Sequence, residues 1–104
     1  MDNLNEQGSE LDAAPTTVSE VTIIPIRATN GLVAFASCVI DNKLHLGGIG
    51  IYTKLEGEGY RLTYPNKKVG KNAIKLAYPI NKEVGEAILN AISSEYEKLL
   101  TKDL

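Results

Sequence analysis

The sequence predicts an α+β fold, a mainly antiparallel twisted sheet of about five strands with one C-terminal helix packed on it. Three observations predict it. Short runs rich in β-branched residues are separated by tight-turn pairs, Asn30-Gly31 and Asp41-Asn42. From Asn81 onward the apolar residues change to three- and four-residue steps, the period of a helix. Between the two patterns lies a basic stretch bracketed by Tyr64-Pro65 and Tyr78-Pro79, and a residue before proline is pushed toward extended geometry.

Each element follows from local chemistry. Residues 1–20 carry Asp2, Glu6, Glu10, Asp12 and Glu20 without a base and show no periodicity, so they are expected as a disordered acidic tail before one domain over 21–104. Val21 to Arg27 reads as a strand; Pro25 has no N–H to give a ladder, which places it on an edge or at a bulge. Asn30-Gly31 supplies the positive φ of a two-residue hairpin turn. Leu32 to Ile40 is apolar on both sides: Leu32, Ala34, Ala36, Cys38 and Ile40 on one, Val33, Phe35 and Val39 on the other. A sheet with one wet face alternates more cleanly, so the helix is expected over one face and a second copy of the chain over the other.

After Asp41-Asn42 a third strand runs from Lys43 to Lys54 and holds glycines at 47, 48 and 50. Gly47-Gly48-Ile49-Gly50 lacks the Lys-Ser/Thr and the strand-to-helix setting of a phosphate loop, and reads as a bulge or a close backbone approach. Leu55 to Gly59 is a hairpin turn, Tyr60 to Tyr64 the fourth strand and Ala73 to Tyr78 the fifth. Asn81 can accept a backbone N–H as a helix cap, with Glu83 and Glu86 at the positive end of the dipole. Val84, Ala87, Ile88, Ala91, Ile92, Tyr96 and Leu99 form one apolar stripe in a helix reaching about Leu100.

Bulk properties narrow the function. The net charge of −2 conceals a split: the first 20 residues sum to −5, and the remainder, with 11 bases against eight acids, to +3. No apolar run approaches the ~20 residues of a membrane helix, and the polar, acidic N-terminus does not read as a secretory signal. One cysteine, Cys38, cannot close an internal disulfide, which fits a reducing, cytoplasmic setting.

The basic excess is concentrated. From Gly59 to Lys82 there are six bases, Arg61, Lys67, Lys68, Lys71, Lys75 and Lys82, and no acid. Lysines neutralise phosphates, the main source of sequence-independent nucleic-acid affinity; the plainer alternative is a solvated loop whose charge aids solubility. Tyr52, Tyr60, Tyr64 and Tyr78 could stack on bases or pack the edges of the core, and Tyr60 and Tyr64 share a strand face. His45, the only histidine, has no ligand set around it for a metal. Cys38 lies in the most apolar strand and reads as a small buried hydrophobe. Neither supports an enzyme, and no cofactor, metal or small-molecule substrate is expected.

The order Asn30-Gly31, Ala34-Phe35-Ala36-Ser37, Val39-Ile40-Asp41, Tyr64-Pro65-Asn66-Lys67-Lys68, Ala77-Tyr78-Pro79-Ile80-Asn81, Ile88-Leu89 and Glu95-Tyr96 resembles the stage V sporulation protein G (SpoVG) family of bacteria over about residues 21–100. The resemblance implies a small α+β domain that dimerises through its sheet, binds DNA and RNA, and regulates septation, sporulation and other gene expression. The family's Met-Pro-Ser-Lys/Arg-Arg motif maps onto Tyr64 to Lys68, so Lys67 and Lys68 inherit the expectation of nucleic-acid contact. Lysine stands where that family often has arginine, Tyr78-Pro79 where it has His-Pro, and Gly47-Gly48 where it has His-Asp.

The resulting expectation is a cytoplasmic, dimeric, nucleic-acid-binding regulator. Lys67 and Lys68 contact phosphates, Lys71, Lys75 and Arg61 add to the field, and Asn66 offers a polar contact. The alternative is a protein-interaction module that acts without nucleic acid.

Overall fold

A computed structural model of the chain describes residues 15–102. Six strands precede one helix: β1 (Val18–Thr29), β2 (Leu32–Ile40), β3 (Leu44–Thr53), β4 (Tyr60–Thr63), β5 (Asn66–Val69), β6 (Asn72–Lys75) and α1 (Lys82–Lys102). The first four form an antiparallel sheet in the order β1-β2-β3-β4. The last two form a separate two-stranded sheet. The α+β architecture with a C-terminal helix stands, while the expected fifth strand belongs to a hairpin of its own.

The turns account for the meander. Asn30 and Gly31 have φ of 52° and 90°, and Asp41 and Asn42 have 52° and 56°. Asp41 also ties the β2–β3 turn to the start of β1: its carboxylate accepts the Thr17 N–H at 2.9 Å and its own N–H donates to Thr17 O at 2.8 Å. That tie helps explain why the first strand starts at Val18, three residues inside the stretch expected as tail. Residues 1–14 of that tail lie outside the described residues. Pro25 is where the sequence placed it, on the edge strand β1 beside a register shift between Pro25 and Thr29.

One bulge changes the faces read from the sequence. Leu32 pairs with Tyr52 but Ala34 pairs with Ile51, so two steps of β2 match one of β3. The extra residue, Val33, packs against the core, and Leu32 turns to the far face, 3.2 Å from where a Cβ on Gly50 would sit. A second bulge falls at the glycines: Ala36 pairs with Ile49 and Cys38 with Leu46, with Gly48 between them at φ 70°.

The core lies between the sheet and α1. Ala34, Ala36, Cys38, Leu46, Ile49 and Ile51 from β2 and β3 meet Ile88, Ile92 and Tyr96 from the helix. Asn81 caps α1, its side-chain oxygen accepting the Val84 N–H at 2.9 Å. Burial of Ile88 and Ile92, 1 % and 0 % exposed, contributes about 1.5–3 kcal/mol each, so the stripe rather than helix propensity holds α1 in place. Opposite the helix, Ile24 and Phe35 remain 61 % and 41 % exposed. Among the described residues, no helix is long and apolar enough to cross a membrane.

Candidate nucleic-acid interface

The basic stretch is an arm rather than a loop. β4 ends at Thr63, and Pro65 cannot extend a ladder through its nitrogen. The chain then runs out along β5, turns at Gly70 and returns along β6. Gly70, at φ 61°, occupies the first central position between the paired Val69 and Asn72, as a II′ hairpin turn requires. All eight strand residues of the arm are exposed. The sequence reading missed β5 because Asn and Lys are poor strand formers. The signal that could have found it is Gly70-Lys71, a two-residue Gly-X turn.

Register sorts the side chains. Asn66 pairs with Lys75 and Lys68 with Ala73, so these four share one face. Lys67 pairs with Ile74 and Val69 with Asn72 on the other. The first face is polar and basic; the second is apolar apart from Lys67 and Asn72, with Val69 at 49 % and Ile74 at 50 % exposure. Lys67 and Lys68, adjacent in sequence, therefore point to opposite sides, and Lys71 stands in the turn. Five of the six expected residues, Asn66, Lys67, Lys68, Lys71 and Lys75, lie on this arm. Arg61 does not: it is on β4 of the main sheet, its guanidinium carbon 4.4 Å above the Tyr52 ring centroid.

The tyrosines divide in the same way. Tyr60 and Tyr64 share the helix-facing side, as the two-residue period required, and both are committed to packing. Tyr60 donates its hydroxyl to the Glu97 carboxylate and meets Tyr96 edge-to-face at 5.3 Å. Burial, then the Glu97 hydrogen bond, pushes its pKa up to about 12. Burial also pushes the Tyr64 phenol up. The two other tyrosines carry cations instead. Lys75 Nζ sits 4.9 Å from the Tyr78 ring centroid, as Arg61 sits over Tyr52. Tyr78, 52 % exposed, lines a cleft of about 300 Å3 at the base of the arm with Thr63, Pro65, Asn66 and Lys75.

The remaining sequence candidates sit on the main sheet rather than on the arm. Cys38 is fully buried, and desolvation raises its thiol pKa, which leaves it unreactive. His45 is exposed on β3. Among the described residues, no group of three or more His, Cys, Asp or Glu side chains is placed to hold a metal ion. The glycines of β3 serve close approach: a Cβ on Gly50 would stand 2.6 Å from Thr63 Oγ1, and one on Gly48 3.3 Å from Pro65 Cβ at the root of the arm.

Comparison with known proteins places this geometry. The SpoVG family profile matches residues 16–98, from just before β1 to most of α1. A protein of Onion yellows phytoplasma (strain OY-M) named "Putative septation protein SpoVG" is 34% identical over 86 residues, covering 78% of this chain and 84% of its own. Its namesake in Clostridium perfringens (strain 13 / Type A) is 32% identical over 89 residues, covering 84% and 96%. That of Aster yellows witches'-broom phytoplasma (strain AYWB) is 33% identical over 86 residues, covering 78% and 84%. With a match spanning nearly all of the described fold, sheet, arm and helix together, the chain belongs to the SpoVG family.

Proposed function

We propose that this protein is a nucleic-acid-binding regulator that acts as a dimer in the cytoplasm, gripping phosphates with the β5–β6 arm. The observation that carries the reading is the arm itself: four lysines on a hairpin exposed at every strand position, within a segment free of acidic residues from Gly59 to Lys82. Such a hairpin has little to do in packing, and its charge is of the sign that polyanions require. The names of the relatives point to septation as the process, so the regulated step belongs to cell division. The role is non-catalytic: buried Cys38 and solitary His45 offer no paired nucleophile and base.

The uncovered sheet face supports the dimer in this reading. Ile24 and Phe35 lie on the side away from α1, near Leu32 and Tyr52, and a second copy placed there removes them from water. Pairing also doubles the arms, and multivalent contact raises affinity without new kinds of interaction. With about two phosphates met per subunit, the logarithm of affinity falls against log salt with a slope of roughly −2 to −4.

A gel shift with Lys67→Ala/Lys68→Ala on a mixed-sequence DNA or RNA oligonucleotide tests the reading, with elution volume on a sizing column checking the dimer. Loss of at least about tenfold in affinity at moderate salt is expected. Unchanged binding, or no binding by the parent chain, transfers the function to a module that recognises another protein.

A further inference from the structure

Resting on that reading, we infer that the arm's ligand is B-form duplex DNA, entered through the major groove by the β5–β6 ribbon with the Asn66/Lys68/Lys75 face toward the base edges. The inference starts from the arm's dimensions. Two strands about 4.8 Å apart, with side chains above and below, make a narrow ribbon. The major groove of B-DNA, about 12 Å wide, admits such a ribbon as it stands, whereas the minor groove, about 6 Å wide, takes one only when the duplex is bent and the groove widened. Four residues per strand at about 3.3 Å each reach roughly 13 Å, the rise of about four base pairs.

The two faces of the ribbon then take different environments. Asn66, Lys68 and Lys75 share a face with the small Ala73, which leaves room for close approach. An asparagine amide can pair with the adenine edge and a lysine can donate to guanine O6 and N7. The opposite face also holds one lysine and one asparagine, Lys67 and Asn72, but sets them beside the branched Val69 and Ile74, which offer a base edge only contact with thymine methyls. This bulkier, half-apolar face points away from the groove floor.

The ribbon's edges complete the fit. Leu76 N–H donates to Pro65 O at 3.0 Å, which sets the phase of the ladder. Alternation in an antiparallel pair then turns the N–H groups of Lys67, Val69, Asn72 and Ile74 inward and leaves those of Asn66, Lys68, Ala73 and Lys75 on the outer edges. No further strand pairs with β5 or β6 among the described residues. A ribbon seated in a groove presents those outer N–H groups to the phosphate walls on both sides, where backbone amides commonly bind. A-form RNA offers no equivalent seat, because its major groove is deep and narrow.

The test compares four probes of one mixed sequence by fluorescence anisotropy at fixed salt: duplex DNA, the same duplex carrying glucosylated hydroxymethylcytosine, duplex RNA and single-stranded DNA. Glucose fills the major groove and leaves the backbone and the minor groove unchanged. Plain duplex DNA is expected to bind at least about tenfold more tightly than the glucosylated duplex or the RNA duplex. Equal affinity for plain and glucosylated DNA, or tighter binding of RNA or of the single strand, overturns the groove assignment while leaving nucleic-acid binding intact. Absence of binding to all four probes overturns both. Among variants, Asn66→Ala/Lys68→Ala is expected to collapse the plain-to-glucosylated ratio toward one. Lys67→Ala, on the other face, weakens all probes alike and preserves the ratio. A ratio lost equally in both variants contradicts the assignment of faces.

Discussion

The sheet-helix body and the β5–β6 arm are built on opposite terms. Every buried core residue of the described chain, from Ala34 to Tyr96, is hydrophobic and belongs to β2, β3 or α1. The arm contributes none, and all eight of its strand residues are exposed. A two-stranded hairpin alone is marginally stable in water, so the arm depends on its root at Pro65 and Leu76 and on whatever it meets. The contrast separates two jobs. The body provides stability, and the arm is free to carry charge at positions no core could tolerate.

Matched truncations give the strongest attack on that contrast. Ile92, fully buried in α1, and Ile74, half exposed on the arm, carry the same side chain in opposite settings. Ile92→Ala is expected to cost about 2–5 kcal/mol, whereas Ile74→Ala stays within about 0.5 kcal/mol, as exposed substitutions do. Urea unfolding of both variants with unchanged m-values measures it. Comparable losses would mean that the arm is part of the folding unit.

The next effect tests how tightly the body's far face is closed. A Cβ on Gly50 meets Thr63 Oγ1 at 2.6 Å and Tyr52 Cε1 at 3.3 Å. Gly50→Ala is expected to destabilise by about 1–3 kcal/mol through overpacking. Thr63→Ala removes the nearest obstacle, so the double variant is expected to recover part of the loss in a double-mutant cycle. Strict additivity would show that the strain lies elsewhere.

Body and arm were not equally legible in the sequence. The body follows from strong periodic signals. The stripe from Val84 to Leu99 gave α1, the Asn81 cap gave its start, and Asn30-Gly31 and Asp41-Asn42 gave the turns. The bulge at Val33 was hidden because β2 is apolar on both sides, so a one-residue slip leaves no mark in the pattern. The arm was visible as composition but not as structure. Its lysines were found, yet their division between two faces depends on the pairing of Asn66 with Lys75, which needs β5 to exist. The employment of Tyr60 by Glu97 was equally out of reach, since it joins residues 37 positions apart.

That Tyr60–Glu97 contact pins β4, the strand from which the arm departs, to α1. Tyr60→Phe keeps the ring against Tyr96 and loses only the hydroxyl, at an expected cost of about 1 kcal/mol. The contact also sets an alkaline limit. A phenol in the unfolded chain ionises near pH 10, whereas burial and the Glu97 carboxylate hold Tyr60 neutral until about 12. Its contribution is therefore complete below about pH 10 and lost progressively as pH rises through the folded value. Between pH 9 and 12 the parent chain is expected to lose stability more steeply than Tyr60→Phe. Parallel curves would remove Tyr60 from the tie.

The smallest expected effect bears on the arm alone. Gly70 holds φ 61° with nothing within 4 Å of a Cβ placed there, so Gly70→Ala brings backbone strain without a steric clash. Such strain costs roughly 1–2 kcal/mol in the left-handed region, but it falls on a hairpin that contributes no residue to the buried core. Global stability from urea unfolding is expected to change by less than about 0.5 kcal/mol, on the expectation that so exposed a hairpin opens locally below the global free energy. Amide exchange locates the loss. The inward N–H groups of Lys67 and Ile74 are expected to exchange faster in the variant, with those of Ile49 and Ile92 unchanged. If the strain instead lowers protection throughout β3 and α1, arm and body unfold as one unit, and the arm's exposure understates its coupling to the core.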